Sequence, residues 1–411
     1  MWYRVKLFLF FLIFCGWVTP VWAGETEDSR LIHAEEVFMH YCAHCHGTQG
    51  DGDGFNAEFL GKEPTQLSDS EFISKKSNDQ IFRIINNGGV GVRKSHLMPV
   101  FGKTLSEDEI WSLVAYIRKL AEDDSHPVPE KGAWNSKRPE WPPVTGAEII
   151  SFSNWFKSRG KEKESLETGE YLFHKKKSCL ACHQINEEEG GRVGPSLVRA
   201  GFYYKPEWVF AWIKNPHVFK PETKMPNLPL ENEEAQTIAA FLNDQVEEDA
   251  AFVEELKPFL EQKGDPQKGK QLFFDQEEKA NCGKCHRING EGGKVGPDLS
   301  LVGSSRRPEF ILESILNPKA VITAGFKSVL ILTKEGKLIT GIKKNEDDSS
   351  LDIVDKKGKN LHIPKDQIKK FKVQKISIMP GNFKDLLSVE EIADLLVFLK
   401  TLTHPAFAGT E

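Results

Sequence analysis

The chain has 411 residues, 39% hydrophobic and 28% charged, with 33 glycines in no strict period. That composition builds packed cores in several domains and excludes a disordered or collagen-like chain. The formal net charge is −6 and the pI about 6.1. A globally acidic chain lacks the basic face that phosphate contacts need, so no nucleic acid is expected as a partner.

Residues 1–23 read as a secretory signal. Arg4 and Lys6 precede an apolar run from Leu7 to Val18, and Val21-Trp22-Ala23 places small residues before a cleavage point at Gly24. The alternative is an uncleaved anchor, although the run is short of the ~20 residues that span a bilayer. Membrane attachment is expected only in that case. The expected mature protein is soluble and exported, in a periplasm or an equivalent compartment.

Six of the seven cysteines fall in three strings: Cys42-Ala-His-Cys45-His46, Cys179-Leu-Ala-Cys182-His183 and Cys282-Gly-Lys-Cys285-His286. Their starts lie 137 and 103 residues apart, which predicts one domain each. Domain one is expected over 24–122, domain two over 166–246 and domain three over 267–404. A Pro/Trp-rich linker at 123–165 and an acidic linker at 247–266 separate them, the second containing a short amphipathic helix.

Each domain repeats one plan. A helical segment precedes the first Cys: Ala34–Tyr41, Thr168–Phe173 and Gln267–Phe273. A Met-Pro pair follows downstream at Met98-Pro99, Met225-Pro226 and Met379-Pro380. An amphipathic helix then closes the domain. In the first, Ser106 and Glu109 form a capping box ahead of an Ile110, Leu113, Val114, Ile117, Leu120 stripe; Ser388 and Glu391 do the same in the third. Domains two and three share more. Gly194-Pro195 matches Gly296-Pro297, and the segment from Pro206 to Asn215-Pro216 matches that from Pro308 to Asn317-Pro318. Domain three carries 52 additional residues before its Met. Within 321–375, short apolar runs at 327–333, 338–342, 351–354 and 361–363 are separated by turn signals, predicting a small antiparallel β insertion. That segment sums to +6, whereas residues 24–266 sum to −13.

Two cysteines three apart, followed at once by His, are the spacing of c-type haem attachment. The thiols add to two vinyl groups on one edge of the macrocycle, and the adjacent imidazole rises beneath the iron. Zinc is the competing reading, but it wants four ligands, and each string offers three that converge poorly. A disulfide pair would not need a His each time. The expected proximal ligands are His46, His183 and His286, with Cys42, Cys45, Cys179, Cys182, Cys282 and Cys285 as attachment points for three haem c groups. Thioether is the expected ligand on the far side, from Met98, Met225 and Met379, one per domain. Its competitors are His96, His217 and His362. A proximal imidazole normally donates its second nitrogen's proton to a carbonyl. Pro195 and Pro297 are placed to offer one, and Pro64 is the counterpart expected in domain one; a plain Gly-Pro turn explains the same residues equally well.

At these motifs each domain resembles a class I c-type cytochrome, with an N-terminal helix, Cys-x-x-Cys-His, a Gly-Pro loop, a Met-Pro loop and a C-terminal helix. Domain one, with Gly50-Asp-Gly-Asp-Gly54, resembles small bacterial monohaem cytochromes. Domain three resembles the haem-binding domain of planctomycete-type multidomain cytochromes, on Thr333-Lys334-Glu-Gly336 and Ile363-Pro364-Lys365 ahead of its Met. The resemblance implies a mainly α protein of three tandem helical domains, the third with its β insertion, that transfers electrons between redox partners.

The expected function is a tri-haem electron relay, free or as the cytochrome subunit of a respiratory oxidoreductase, with no catalytic residue. The alternative is a haem enzyme of the di-haem peroxidase type, which needs one iron with an open or labile sixth position; a Met in every domain argues against it. The basic segment 321–375 is either a dock for an acidic partner or for the chain's own acidic front half, or a set of lysines that keep edge strands from pairing.

Overall fold

The computed structural model describes residues 27–128, 136–246, 250–275, 279–323, 325–346, 349–374 and 376–408. The N-terminal segment 1–23 lies outside them. Among the described residues the protein is mainly helical, with a five-stranded antiparallel sheet and a two-stranded ribbon pairing Arg287–Ile288 with Glu291–Gly292.

Domain one is built on α1 (Glu27–Tyr41), α2 (Asn78–Gly91) and α3 (Glu107–Leu120). The Ser106 hydroxyl accepts from the Glu109 amide, and the Glu109 carboxylate accepts from the Ser106 amide, so two orphan donors at the start of α3 are satisfied reciprocally. The stripe Ile110, Leu113, Val114 and Ile117 is buried against α1, where the Phe38 ring meets Tyr116 at 5.2 Å between centroids.

Domain two contains α4 (Gly146–Arg159), α5 (Lys163–Tyr171), α6 (Pro206–Lys214) and α7 (Asn232–Asp244). Here the structure differs from the expected linker at 123–165. Thr145 caps α4 in a box with Glu148, and Ile149 and Phe152 of α4 are fully buried in the domain-two core, the latter stacked on Phe210 at 4.5 Å. The prolines stop at Pro143, so nothing after them prevents a helix. The preceding stretch straps domain one. Arg138 makes a forked ion pair with Glu109 at 2.7–3.0 Å, and the Trp141 indole donates to the Lys103 carbonyl at 2.8 Å.

Domain three uses α8 (Ala250–Glu261), α9 (Pro266–Phe274), α10 (Pro308–Leu316) and α11 (Val389–Lys400). Helix α8 is the amphipathic helix expected in the second linker, but Leu256 and Phe259 bury it in domain three's own core. The insertion forms β1 (Ser328–Thr333), β2 (Leu338–Glu346), β3 (Ser350–Asp355), β4 (Asn360–Pro364) and β5 (Ile368–Val373), all antiparallel, in the spatial order β4-β3-β2-β1-β5. Val329, Ile331, Leu351, Ile353 and Ile363 bury one face; Ile342 and Val354 turn the other toward Val295 of the helical body.

One device recurs where the helix ahead of each Cys-x-x-Cys-His string crosses the last helix of its domain. Gly169 and Gly269 lie against the Thr237 and Asp394 carbonyls, where a Cβ would overlap the facing backbone. Four residues on, Phe173 and Phe273 are buried; Ala34 and Phe38 fill the corresponding places in domain one.

Domains two and three meet about a local two-fold relation. The Lys205 amide donates to the Ser305 carbonyl and the Arg307 amide to the Tyr203 carbonyl, with Tyr204 bridged to Arg306. These are equivalent positions in the two sequences, each just before the proline that opens α6 or α10. The Arg199–Glu313 ion pair at 3.2 Å closes the seam. The chain's end returns to domain two, where Phe407 is buried beside Trp208 and Phe219.

Candidate haem-attachment sites

The three Cys-x-x-Cys-His strings each fold as a short helical turn. The amides of His46, His183 and His286 donate back to the carbonyls of Cys42, Cys179 and Cys282 at 2.9–3.0 Å. That turn sets both thiols and the imidazole on one side of the loop. All six cysteines are free thiols, so the disulfide alternative finds no bond here. Burial pushes the Cys42, Cys179 and Cys182 thiols up to about 12 and Cys282 to about 11; Cys45 and Cys285 shift the same way. Among the described residues no three His, Cys, Asp or Glu side chains converge as a zinc centre requires.

Each string's imidazole is held in the same manner. Nδ1 of His183 lies 2.9 Å from the Pro195 carbonyl, and Nδ1 of His286 lies 2.9 Å from that of Pro297. A carbonyl only accepts, so Nδ1 carries the proton and Nε2 keeps its lone pair for a metal. Burial lowers the pKa of all three imidazoles, against the opposing pull of the carbonyl bond, so they are neutral at pH 7.

In domain one the carbonyl belongs to Thr65, at 2.9 Å from His46 Nδ1, and not to Pro64. The loop is longer here, 19 residues from His against 12 and 11 in the others. The Pro64 carbonyl is spent differently, facing Gly52, whose φ of +80° only glycine adopts without strain.

The glycines before Pro195 and Pro297 have a role that the motif match alone does not show. A Cβ on Gly194 would overlap the His183 ring, and one on Gly296 the His286 ring. The imidazole face therefore lies flat on the Gly-Pro backbone.

Each Met packs in the same core as the first Cys of its own string: Met98 with Cys42, Met225 with Cys179, Met379 with Cys282. A hydroxyl two residues earlier turns the chain into Met225 and Met379, with Thr223 Oγ1 and Ser377 Oγ accepting from the methionine amides at 3.2 and 3.1 Å. In domain one Ser95 Oγ accepts from the Leu97 amide instead. Met225 Sδ accepts a hydrogen bond from the Trp212 indole at 3.0 Å. Of the competing histidines, His362 lies on the exposed sheet surface, paired with Asp352 at 2.8 Å. His217 turns Nδ1 to the Pro221 carbonyl at 3.0 Å, and His96 sits half-buried in the Met98 loop.

This donor set fits haem c. Each domain offers two thiols and a neutral imidazole with a free Nε2, and its core brings in a thioether. A haem held there supplies one-electron redox chemistry. The thiols would tether it, and the carbonyls of Thr65, Pro195 and Pro297 would keep the imidazoles oriented toward it.

Comparisons with known proteins agree. The family model described as cytochrome C oxidase, cbb3-type, subunit III matches residues 30–117 and 164–242, and the model described as cytochrome c matches residues 266–334. No curated protein matches. Among solved structures, the Kuenenia stuttgartiensis reducing HAO-like protein complex is similar over 52% of this chain and 96% of that chain, at 16% identity and a TM-score of 0.19; a likeness that low carries no argument. The matched stretches include all three Cys-x-x-Cys-His strings, and the chain therefore carries cytochrome c domains, whose cofactor is haem and whose chemistry is electron transfer.

Proposed function

We propose that this protein is an exported tri-haem c-type cytochrome that relays electrons through three covalently bound haems. The axial pairs are His46 and Met98, His183 and Met225, and His286 and Met379. The observation that carries this reading is the threefold repetition of one geometry. In each domain an imidazole is fixed by a carbonyl 2.9 Å from Nδ1, beside two thiols that form no disulfide. Export rests on the N-terminal sequence. Among the described residues no helix is long and apolar enough to cross a membrane.

The protein works as a free carrier or as the cytochrome subunit of a respiratory oxidoreductase. The match to an oxidase-subunit family supports the subunit role. The basic sheet is a dock for an acidic redox partner, because Lys369, Lys370 and Lys372 stand exposed on β5. Deleting 321–375 should slow partner reduction at low salt and leave it unchanged at high salt; equal rates at low salt would remove the dock.

The central test is haem quantification with a redox titration of the purified protein. Three haems per chain and three low-spin ferric centres are expected; a colourless or zinc-bearing protein overturns the proposal. An enzyme reading would have to operate at domain two, where Met225 sulfur already carries the Trp212 hydrogen bond. A high-spin ferric signal from that centre would favour it.

A further inference from the structure

We propose that Asn56 joins the attachment loops of domains one and two, making their two haem centres a directly coupled pair for electron exchange. The inference rests on the haem reading above and adds a route between two of the centres.

Asn56 belongs to domain one and is 0% exposed. Its Nδ2 carries two protons and uses both. One goes to Cys45 Sγ at 3.2 Å, the other to the Ala181 carbonyl at 2.8 Å, inside domain two's Cys-x-x-Cys string. Its Oδ1 accepts from the Arg192 amide at 2.6 Å, and its own amide donates to the His44 carbonyl at 2.8 Å. Both polar atoms of this side chain thus find a partner across the domain boundary, where a buried unpaired amide would be destabilising. Gly191 makes the approach feasible, since a Cβ there would press on both the Ala181 carbonyl and Asn56 Oδ1. The Arg192 guanidinium then stacks over Phe59 of domain one, 4.6 Å from the ring centroid.

The bond to Cys45 is compatible with haem attachment, because a thioether sulfur still accepts weakly. Ala181 immediately precedes Cys182, the second thiol of its own string. Cys45, which would hold the first haem, is therefore linked through one side-chain amide to the peptide that leads into Cys182, which would hold the second. The exchange is a one-electron step: a ferrous iron in one domain is oxidised, a ferric iron in the other is reduced, and no bond or proton moves. The third domain lacks this contact. Its Cys285 packs beside Ile342 and Val354 of the sheet.

The test compares full-length, haem-loaded wild type with Asn56→Ala and Asn56→Asp. Haem content, the potential of each centre and the redistribution rate after pulse-radiolytic injection of one electron are measured. We expect unchanged haem content and about 10-fold to 100-fold slower exchange between the first two centres, as when a geometry-fixing contact is lost. In Asn56→Asp the carboxylate should also lower the potential of the first centre, because negative charge favours ferric iron, and leave the third unchanged. Wild-type exchange rates in both variants overturn the proposal. Should Asn56→Ala fail to load haem, Asn56→Ser keeps one donor: an intermediate rate supports the coupling and a wild-type rate refutes it. A wild type without pigment would instead defeat the underlying haem reading.

Discussion

Gly194 and Gly296 show how little room a side chain leaves around the imidazole it faces. A methyl on either overlaps the ring of His183 or His286, and overpacking of this kind costs ~1–3 kcal/mol. Gly194→Ala should therefore lower haem loading of domain two alone, read as a fall from three haems toward two per chain. Trp212 offers a subtler change. Its indole proton occupies one lone pair of Met225 Sδ, which weakens the sulfur as a donor to ferric iron. Trp212→Phe should lower the potential of the second centre, measured by spectroelectrochemistry, without changing haem content. At this scale the three Cys-x-x-Cys-His strings are readable because haem attachment would demand a contiguous spacing. Thr65 is not, since any carbonyl serves the imidazole and only the loop's path decides which one arrives. The link Asn56 makes to domain two carries no sequence signal, because its partners there lie 125 and 136 residues away.

The helices follow their local codes closely, and their crossings are sensitive to single atoms. Gly269 lies against the Asp394 carbonyl, so Gly269→Ala should cost ~1–3 kcal/mol of domain-three stability by denaturant titration. A small residue four places before a buried Phe, at Ala34, Gly169 and Gly269, is a signal present in the sequence that the cysteine spacing overshadows. Glu109 links cap to strap. Burial pulls its pKa up, but the bonds from Arg138 and the Ser106 amide outweigh burial and hold it below the usual carboxylate value. A depressed carboxylate stabilises the fold above its unfolded pKa of ~4.3 and loses that contribution as pH falls through the lower folded value. Compared with wild type, Glu109→Gln should be destabilised at pH 7, with the gap closing below pH ~4 in a series of thermal melts. Strand β5 escaped the apolar-run search because IKKFKV buries no face; it forms as an edge paired to β1 through its backbone, with Ile331 opposite Phe371. Helix α4 was hidden by the prolines just ahead of it.

Across the whole molecule the domains are tied by contacts between distant parts of the chain. Phe407 crosses back to domain two and is 5% exposed; Phe407→Ala should cost ~3–5 kcal/mol and lower the melting of domain two. The sheet that the insertion builds covers the Cys285 side of domain three through Ile342 and Val354, while domain one's Cys45 meets Asn56, which reaches on into domain two. By itself the sequence determined the three Cys-x-x-Cys-His strings, the helices that follow their Met-Pro pairs and the presence of a β insertion. Each of those is written within a few residues, as spacing, capping or periodicity. Only the tertiary structure decided that Thr65 serves His46, that α4 belongs to domain two, that domains two and three pair through equivalent segments, and that one amide spans the first two attachment loops. Those outcomes depend on which surfaces meet, and meeting surfaces are set by packing between residues more than a hundred positions apart, which no local pattern encodes.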